Sequence, residues 1–195
     1  MTDTDFLVQP NRRLILFATL GIAMTAIVPP VSATPGRFTL PDSHDGKGNP
    51  GDFDFLTGEW RIHNRFLERE NWIEFPGEAS VTAILAGIAS IEELRIPARD
   101  FSGMGLRLFD VERRIWSDHW VNAKSGVVGV PGQIGVFVDG VGTFTSEDGE
   151  GADRTIYRGI WDRITPTSCR WYQSWSKDGG LSWTDTWFMD WTRFG

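Results

Sequence analysis

The chain has 195 residues, which suits one domain preceded by a short extra segment. Its formal net charge is −7 and no Lys/Arg cluster reverses this locally, which argues against nucleic acid and anionic membrane surfaces as partners. Cys169 is its one cysteine, so no intramolecular disulfide and no cysteine-based metal site can form, and the residue reads as a small buried hydrophobe.

The first segment reads as a targeting signal. Arg12 and Arg13 precede an apolar run from Leu14 to Val28, and Val31-Ser32-Ala33 places small residues where a signal peptidase reads them. The run is shorter than the roughly 20 residues of a spanning helix. Residues 1–33 are therefore expected to be a signal peptide cleaved after Ala33, by the general secretory or the twin-arginine route. The exported protein would be periplasmic or secreted, with no membrane span in its mature form. No cysteine follows the run to carry a lipid. Residues 34–51, rich in Pro, Gly, Asp and Ser, read as a flexible lead-in.

From residue 52 to 195 the chain shows period-2 patterns broken by turn residues. Asp52 to Leu56 is expected to make one helical turn. Strands are predicted near 58–67, 78–86, 88–96, 104–110, 113–122, 133–138, 141–146, 154–164, 168–176 and 182–193. Asp139-Gly140 is a hairpin signal, because both central positions need positive φ. Asp110 to Arg113 and Asp178-Gly179-Gly180 are further turns. About ten strands in series suit a single antiparallel meander, and closing it into a barrel removes the exposed edges. A two-sheet sandwich is the alternative.

Ten tryptophans supply large apolar faces whose N–H groups need partners. Parity sorts them onto one side of each strand: Trp60, Ile62, Asn64 and Phe66; Trp116, Asp118 and Trp120; Trp171, Gln173 and Trp175; Trp183, Asp185, Trp187, Met189, Trp191 and Arg193. That side is the expected interior. It repeatedly places a polar residue (Asn64, Asp118, Gln173, Asp185) between aromatics. Such groups are buried only with partners. They form either an internal network, with Asp118 and Asp185 paired to Arg158, Arg163 or indole N–H groups, or the polar contacts of a pocket. Arg107, Arg158 and Arg163 could equally clamp an anion.

Gly58-Glu59-Trp60, within the stretch from Asp52 to Trp60, resembles the glycine-x-tryptophan start of the lipocalins and other calycins. The resemblance implies that a basic residue of the last strand, here Arg193, packs over Trp60, which is a structural role. Ser176-Lys177-Asp178-Gly179-Gly180-Leu181-Ser182-Trp183 resembles the Asp-box turn of sialidase propellers. One copy in so short a chain implies a hairpin stabiliser built on Asp178 and Trp183, not a sialidase. The two motifs together resemble an uncharacterised bacterial calycin-like family over about residues 52–194. Nitrobindin-like haem barrels are a neighbouring comparison. They hold haem through a histidine near the C-terminus, whereas the histidines here are His44, His63 and His119.

No nucleophile elbow, zinc-binding helix motif or phosphate loop is present. No metal and no cofactor are expected; a lone haem ligand from His119 is the minority reading. The leading expectation is an exported small-molecule-binding barrel with a Trp-lined pocket for a partly apolar or aromatic ligand. Its lining would be Asn64, Trp116, Asp118, Trp120, Gln173, Trp175, Asp185 and Trp187. The alternative is a cofactor-free enzyme using Asp118 or Asp185 as general acid/base on an aromatic or carbohydrate-derived substrate. A third reading is an envelope protein whose interior is simply filled. Nothing in the sequence indicates an oligomeric state.

Overall fold

The computed structural model describes residues 47–194. The expected signal peptide, the first part of the lead-in and His44 lie outside the described residues. Residues 48–51 are held in place: Gly48 N–H donates to Arg114 O, the Arg114 guanidinium donates back to Gly48 O and Asn49 Oδ1, and Gly51 N–H donates to Gly87 O.

A 3-10 turn, Asp54–Leu56, leads into ten strands: β1 (Gly58–Glu68), β2 (Asn71–Ile84), β3 (Ala89–Ile96), β4 (Phe101–Asp110), β5 (Ile115–Asn122), β6 (Gln133–Val138), β7 (Val141–Asp148), β8 (Thr155–Asp162), β9 (Ser168–Ser176) and β10 (Thr184–Arg193). Each pairs antiparallel with the next, and β1 pairs with β10, so the sheet is a closed barrel, not a sandwich. The Asp139-Gly140 hairpin has φ of 50° and 78°, the positive values that this two-residue turn requires.

β2 begins seven residues before its predicted start. Pro76 and Gly77 interrupt the strand pattern, but residues 71–77 pair with β1 alone and extend past the pairing with β3. One edge is free there, which is where a sheet tolerates proline.

The closed end forms where the 3-10 turn enters the barrel. Phe53 and Leu56 are buried, and Phe53 meets Trp116, Phe137, Phe144 and Trp161 at ring-centroid distances of 5.0, 5.0, 5.4 and 6.3 Å. Trp60 donates its indole N–H to Leu56 O at 2.6 Å and packs edge-on to Trp191. The Arg193 guanidinium lies 4.2 Å from the Trp60 ring centroid and donates to Phe55 O, Thr57 O and Pro166 O. Arg193 thus ties the last strand to the turn before the first one. In the turn between β9 and β10, Asp178 accepts from Ser182 N–H, Ser182 Oγ and Ser176 Oγ, and these bonds hold its carboxyl well below the usual range. Trp183 N–H donates to Gly180 O across the same turn.

Candidate ligand-binding site in the barrel lumen

Register places the lumen-facing residues. Phe109–Trp116, Arg107–Asp118 and Gly105–Trp120 are cross-strand partners on β4 and β5. Ser90 pairs with Arg107 and Glu92 with Gly105, so β3 turns Ser90 and Glu92 inward beside Leu94 and Ile96. The interior is layered from the closed end: first the aromatic plug around Phe53, then a charged layer, then a ring of partly exposed aromatics and amides.

The charged layer is Glu92, Arg107 and Asp118. Arg107 donates to Glu92 Oε2, and its Nε lies 3.5 Å from Asp118 Oδ2, within ion-pair range but beyond a well-made hydrogen bond. Arg107 and Glu92 are each 4% exposed, and Asp118 17%. The guanidinium sits between Phe53 and Trp161, 5.1 and 5.2 Å from their ring centroids. Burial works against its charge, but Asp118 and then Glu92 outweigh that and hold Arg107 above its ordinary range. Asp118 is pushed up, by burial first; Arg107 opposes the shift and Glu92 adds to it. One guanidinium cannot neutralise two carboxylates, so Asp118 holds a proton more readily than an exposed aspartate would.

Across the lumen, Trp187 donates its indole N–H to Asn64 Oδ1 at 2.9 Å, joining β10 to β1. Asn64 and Trp187 are buried, and Trp171 packs edge-on to Trp187 at 5.8 Å. Toward the open end, Trp120, Gln133, Trp171, Gln173 and Trp175 are all partly exposed. Trp120 stacks on Phe101 at 5.8 Å and occupies the space a side chain at position 103 would take: a Cβ there would fall 2.3 Å from its ring. Gly159 similarly yields to Gln133 and Trp171, at 2.9 and 3.0 Å. Glycines on the lumen wall thus leave room for the largest side chains.

Seven of the eight residues expected to line a pocket (Asn64, Trp116, Asp118, Trp120, Gln173, Trp175 and Trp187) lie on lumen-facing positions of the barrel. Asp185 does not. A β-bulge at Thr186 changes the register between Asp185 and Trp187, so Asp185 pairs with Ser174 while Trp187 pairs with Gln173. Parity reverses across the bulge. Asp185 accepts from Ser174 Oγ at 2.7 Å on the outer wall, and the Arg158 guanidinium lies there 3.8 Å from the Trp183 ring centroid. Trp183 also moves off the lumen face. Asp118 pairs with Arg107 and not with Arg158 or Arg163.

Glu92 was not anticipated. The Ser90-Ile91-Glu92-Glu93-Leu94-Arg95-Ile96 alternation assigns it to the Leu94 and Ile96 side, a signal that was available. His63 and His119 point away from the site. His63 lies 3.1 Å from Glu74 on the outer wall, and His119 Nδ1 lies 3.0 Å from Gly129 O. His119 is therefore not turned toward the lumen as a haem ligand would be. Among the described residues no group of three or more His, Cys, Asp and Glu could hold a metal ion. Burial pushes the Cys169 thiol up to about 12, so it stays protonated and unreactive at neutral pH.

Among the described residues, hollows open on the surface. One, of about 350 Å³, is lined by Ile62, His63, Glu74, Phe75 and Pro76. Another, of about 250 Å³, is lined by Trp175, Ser176, Lys177, Asp178, Ser182 and Thr184. Neither includes the charged layer. No helix of the described residues is long and apolar enough to cross a membrane.

No protein-family model matches the chain, and no curated protein matches it. Among solved structures it is similar to the S-type phycobiliprotein lyase CPES from Guillardia theta, with 13% identity and a TM-score of 0.47 over 73% of this chain and 90% of that one.

Proposed function

We propose that this protein is an exported binding barrel that takes a small, partly apolar or aromatic molecule into its lumen from the end opposite the Phe53 plug. The observation that supports this reading best is the combination on the lumen face: a buried charged layer, and beyond it the partly exposed Trp120, Trp171 and Trp175. Aromatic faces supply area and a few fixed polar groups supply orientation, which is the usual make-up of a small-molecule site. Asn64, Asp118 and Gln173 are the orienting groups, with Glu92 and Arg107 added and Asp185 removed. Export is supported by the residues before Ala33, and N-terminal sequencing of the secreted protein tests it; retention of Met1 refutes it.

The binding test is intrinsic fluorescence. Tryptophans around the lumen make quenching or a spectral shift the expected response to a bound ligand. A metabolite library rich in planar compounds should yield saturable hits, each weakened by Trp120→Ala. An unchanged spectrum throughout would favour a filled interior instead. A second reading, a cofactor-free enzyme, is favoured by one observation: Asp118 is a lumen carboxyl with a raised proton affinity, the property of a general acid. Turnover of a hit that is lost in Asp118→Asn, with binding retained, would establish it.

A further inference from the structure

Ser90 Oγ is buried without a partner on the lumen face, but most of the unpartnered buried polar atoms there are donors. Asn64 Nδ2, Arg107 Nη1, Trp161 Nε1 and Trp191 Nε1 are buried, and none has a hydrogen-bond partner among the described residues. Their residues are at most 4% exposed. Three of the four adjoin one another. The Arg107 guanidinium lies 5.2 Å from the Trp161 ring centroid, and the Trp161 and Trp191 rings are 5.5 Å apart. Native interiors rarely leave such groups unpaired, because each forfeits its hydration with nothing in return. Indole N–H groups and a guanidinium cannot accept, so they cannot satisfy one another.

Charge narrows what could satisfy them. Arg107 already faces two carboxyl groups, Glu92 and Asp118. A ligand carboxylate or phosphate would bring a third anion to one guanidinium in a desolvated layer, which is costly. A ligand ammonium brings only further donors. A neutral oxygen that accepts and does not ionise meets both conditions. Resting on the binding reading above and deepening it, we infer that the lumen ligand is a planar, uncharged molecule carrying a carbonyl oxygen, an aryl ketone, quinone or lactone by chemistry. The oxygen enters first and accepts from Arg107 Nη1 and the neighbouring indole N–H groups. The rings behind it lie against Trp120, Trp171 and Trp175.

The test uses the purified full-length protein and four probes on one phenyl skeleton: acetophenone, isopropylbenzene, benzoate and benzylammonium. Binding is read by tryptophan fluorescence, and hydrogen bonding by the carbonyl stretch of the labelled ketone and by indole ¹H–¹⁵N signals. The ketone should bind at least about tenfold tighter than the hydrocarbon, in line with hydrogen bonding to a charged donor. Its stretch should move to lower wavenumber, and the Trp161 and Trp191 N–H signals should shift downfield. Trp161→Phe, which keeps a six-membered aromatic ring and deletes the pyrrole N–H, should lower ketone affinity several-fold and lower that of isopropylbenzene much less. Equal affinity for ketone and hydrocarbon, with an unmoved stretch, overturns the inference and leaves the binding reading standing. Tighter binding of the acid or the ammonium also overturns it. Failure of all four probes to bind overturns the inference together with the aromatic-ligand reading.

Discussion

Arg107→Met separates a charged layer that needs its cation from one that merely fills space. The substitution preserves an unbranched apolar stem against Phe53 and Trp161 but deletes the guanidinium, leaving Glu92 and Asp118 in the same wall at 4% and 17% exposure. Breaking a buried pair by removing one partner costs about 3–5 kcal/mol, because the remaining charge is unpaired. That cost depends on pH, and its sign follows from linkage. Without Arg107, the charge that opposes the effect of burial on Asp118 is gone, so its folded-state affinity for a proton rises further above the unfolded value of about 4. The folded variant then binds more protons than the unfolded chain, so its stability falls as pH rises from about 4 through the raised value. One extra proton changes stability by about 1.4 kcal/mol per pH unit, so two units recover about 2.7 kcal/mol on acidification. Guanidinium chloride unfolding at pH 7.5 and 4.5 measures this. The variant should lose about 3–5 kcal/mol at pH 7.5 and no more than about 2 kcal/mol at pH 4.5. An equal loss at both pH values would refute the argument, since it would mean that Arg107 contributes through packing alone. Replacing all three residues together by Met and Gln counterparts should recover most of the loss at pH 7.5.

Three further outcomes follow from the same geometry. Asp118→Asn should be neutral or stabilising at pH 7.5: the raised proton affinity of Asp118 means that wild-type stability declines as pH rises above about 4, and the variant's denaturation midpoint should be flatter between pH 4 and 8. Arg193→Ala removes the stack on Trp60 and the donors to three carbonyl oxygens, and should cost about 2–4 kcal/mol by chemical denaturation, with Arg193→Lys restoring less than half. Gly103→Ala drives a methyl group toward Trp120 and Val121 O, so it should cost about 1–3 kcal/mol and shift tryptophan emission, even though Gly103 lies far from the plug.

Nine of the ten strands were legible to within a few residues, because most are bounded by turns that contain Gly, Asp or Pro and alternate clearly. The start of β2 was hidden by Pro76 and Gly77, which ordinarily end strands and here sit on a locally free edge. Parity read along a single strand placed Asn64, Asp118 and Gln173 correctly on the inner wall. It failed at Asp185 because one extra residue, Thr186, reverses the alternation, and a bulge of this kind leaves no mark in composition. Glu92 was missed for another reason. Two adjacent glutamates look like a solvated pair, and only the inward side of Leu94 and Ile96 tells them apart. The partner of Asp118 was not legible at all, since strand order alone brings Arg107 opposite to it.

The bond between Trp187 and Asn64 acquires a meaning from where it lies. Every other neighbouring pair of strands in the barrel is consecutive along the chain, so the wall can assemble as a ribbon of hairpins, each laid against the last. Only the β1–β10 edge joins segments more than a hundred residues apart, and that join converts a ribbon into a ring. Arg193 clasps it at the plugged end, and Asn64 with Trp187 clasps it inside the lumen. A molecule seated against Trp187 would therefore act on the ring as a whole. By binding only when the clasp is shut, it would raise the free energy of opening along this edge by RT ln(1 + L/Kd), with L the free ligand concentration, about 2.7 kcal/mol at a hundredfold excess of ligand over Kd.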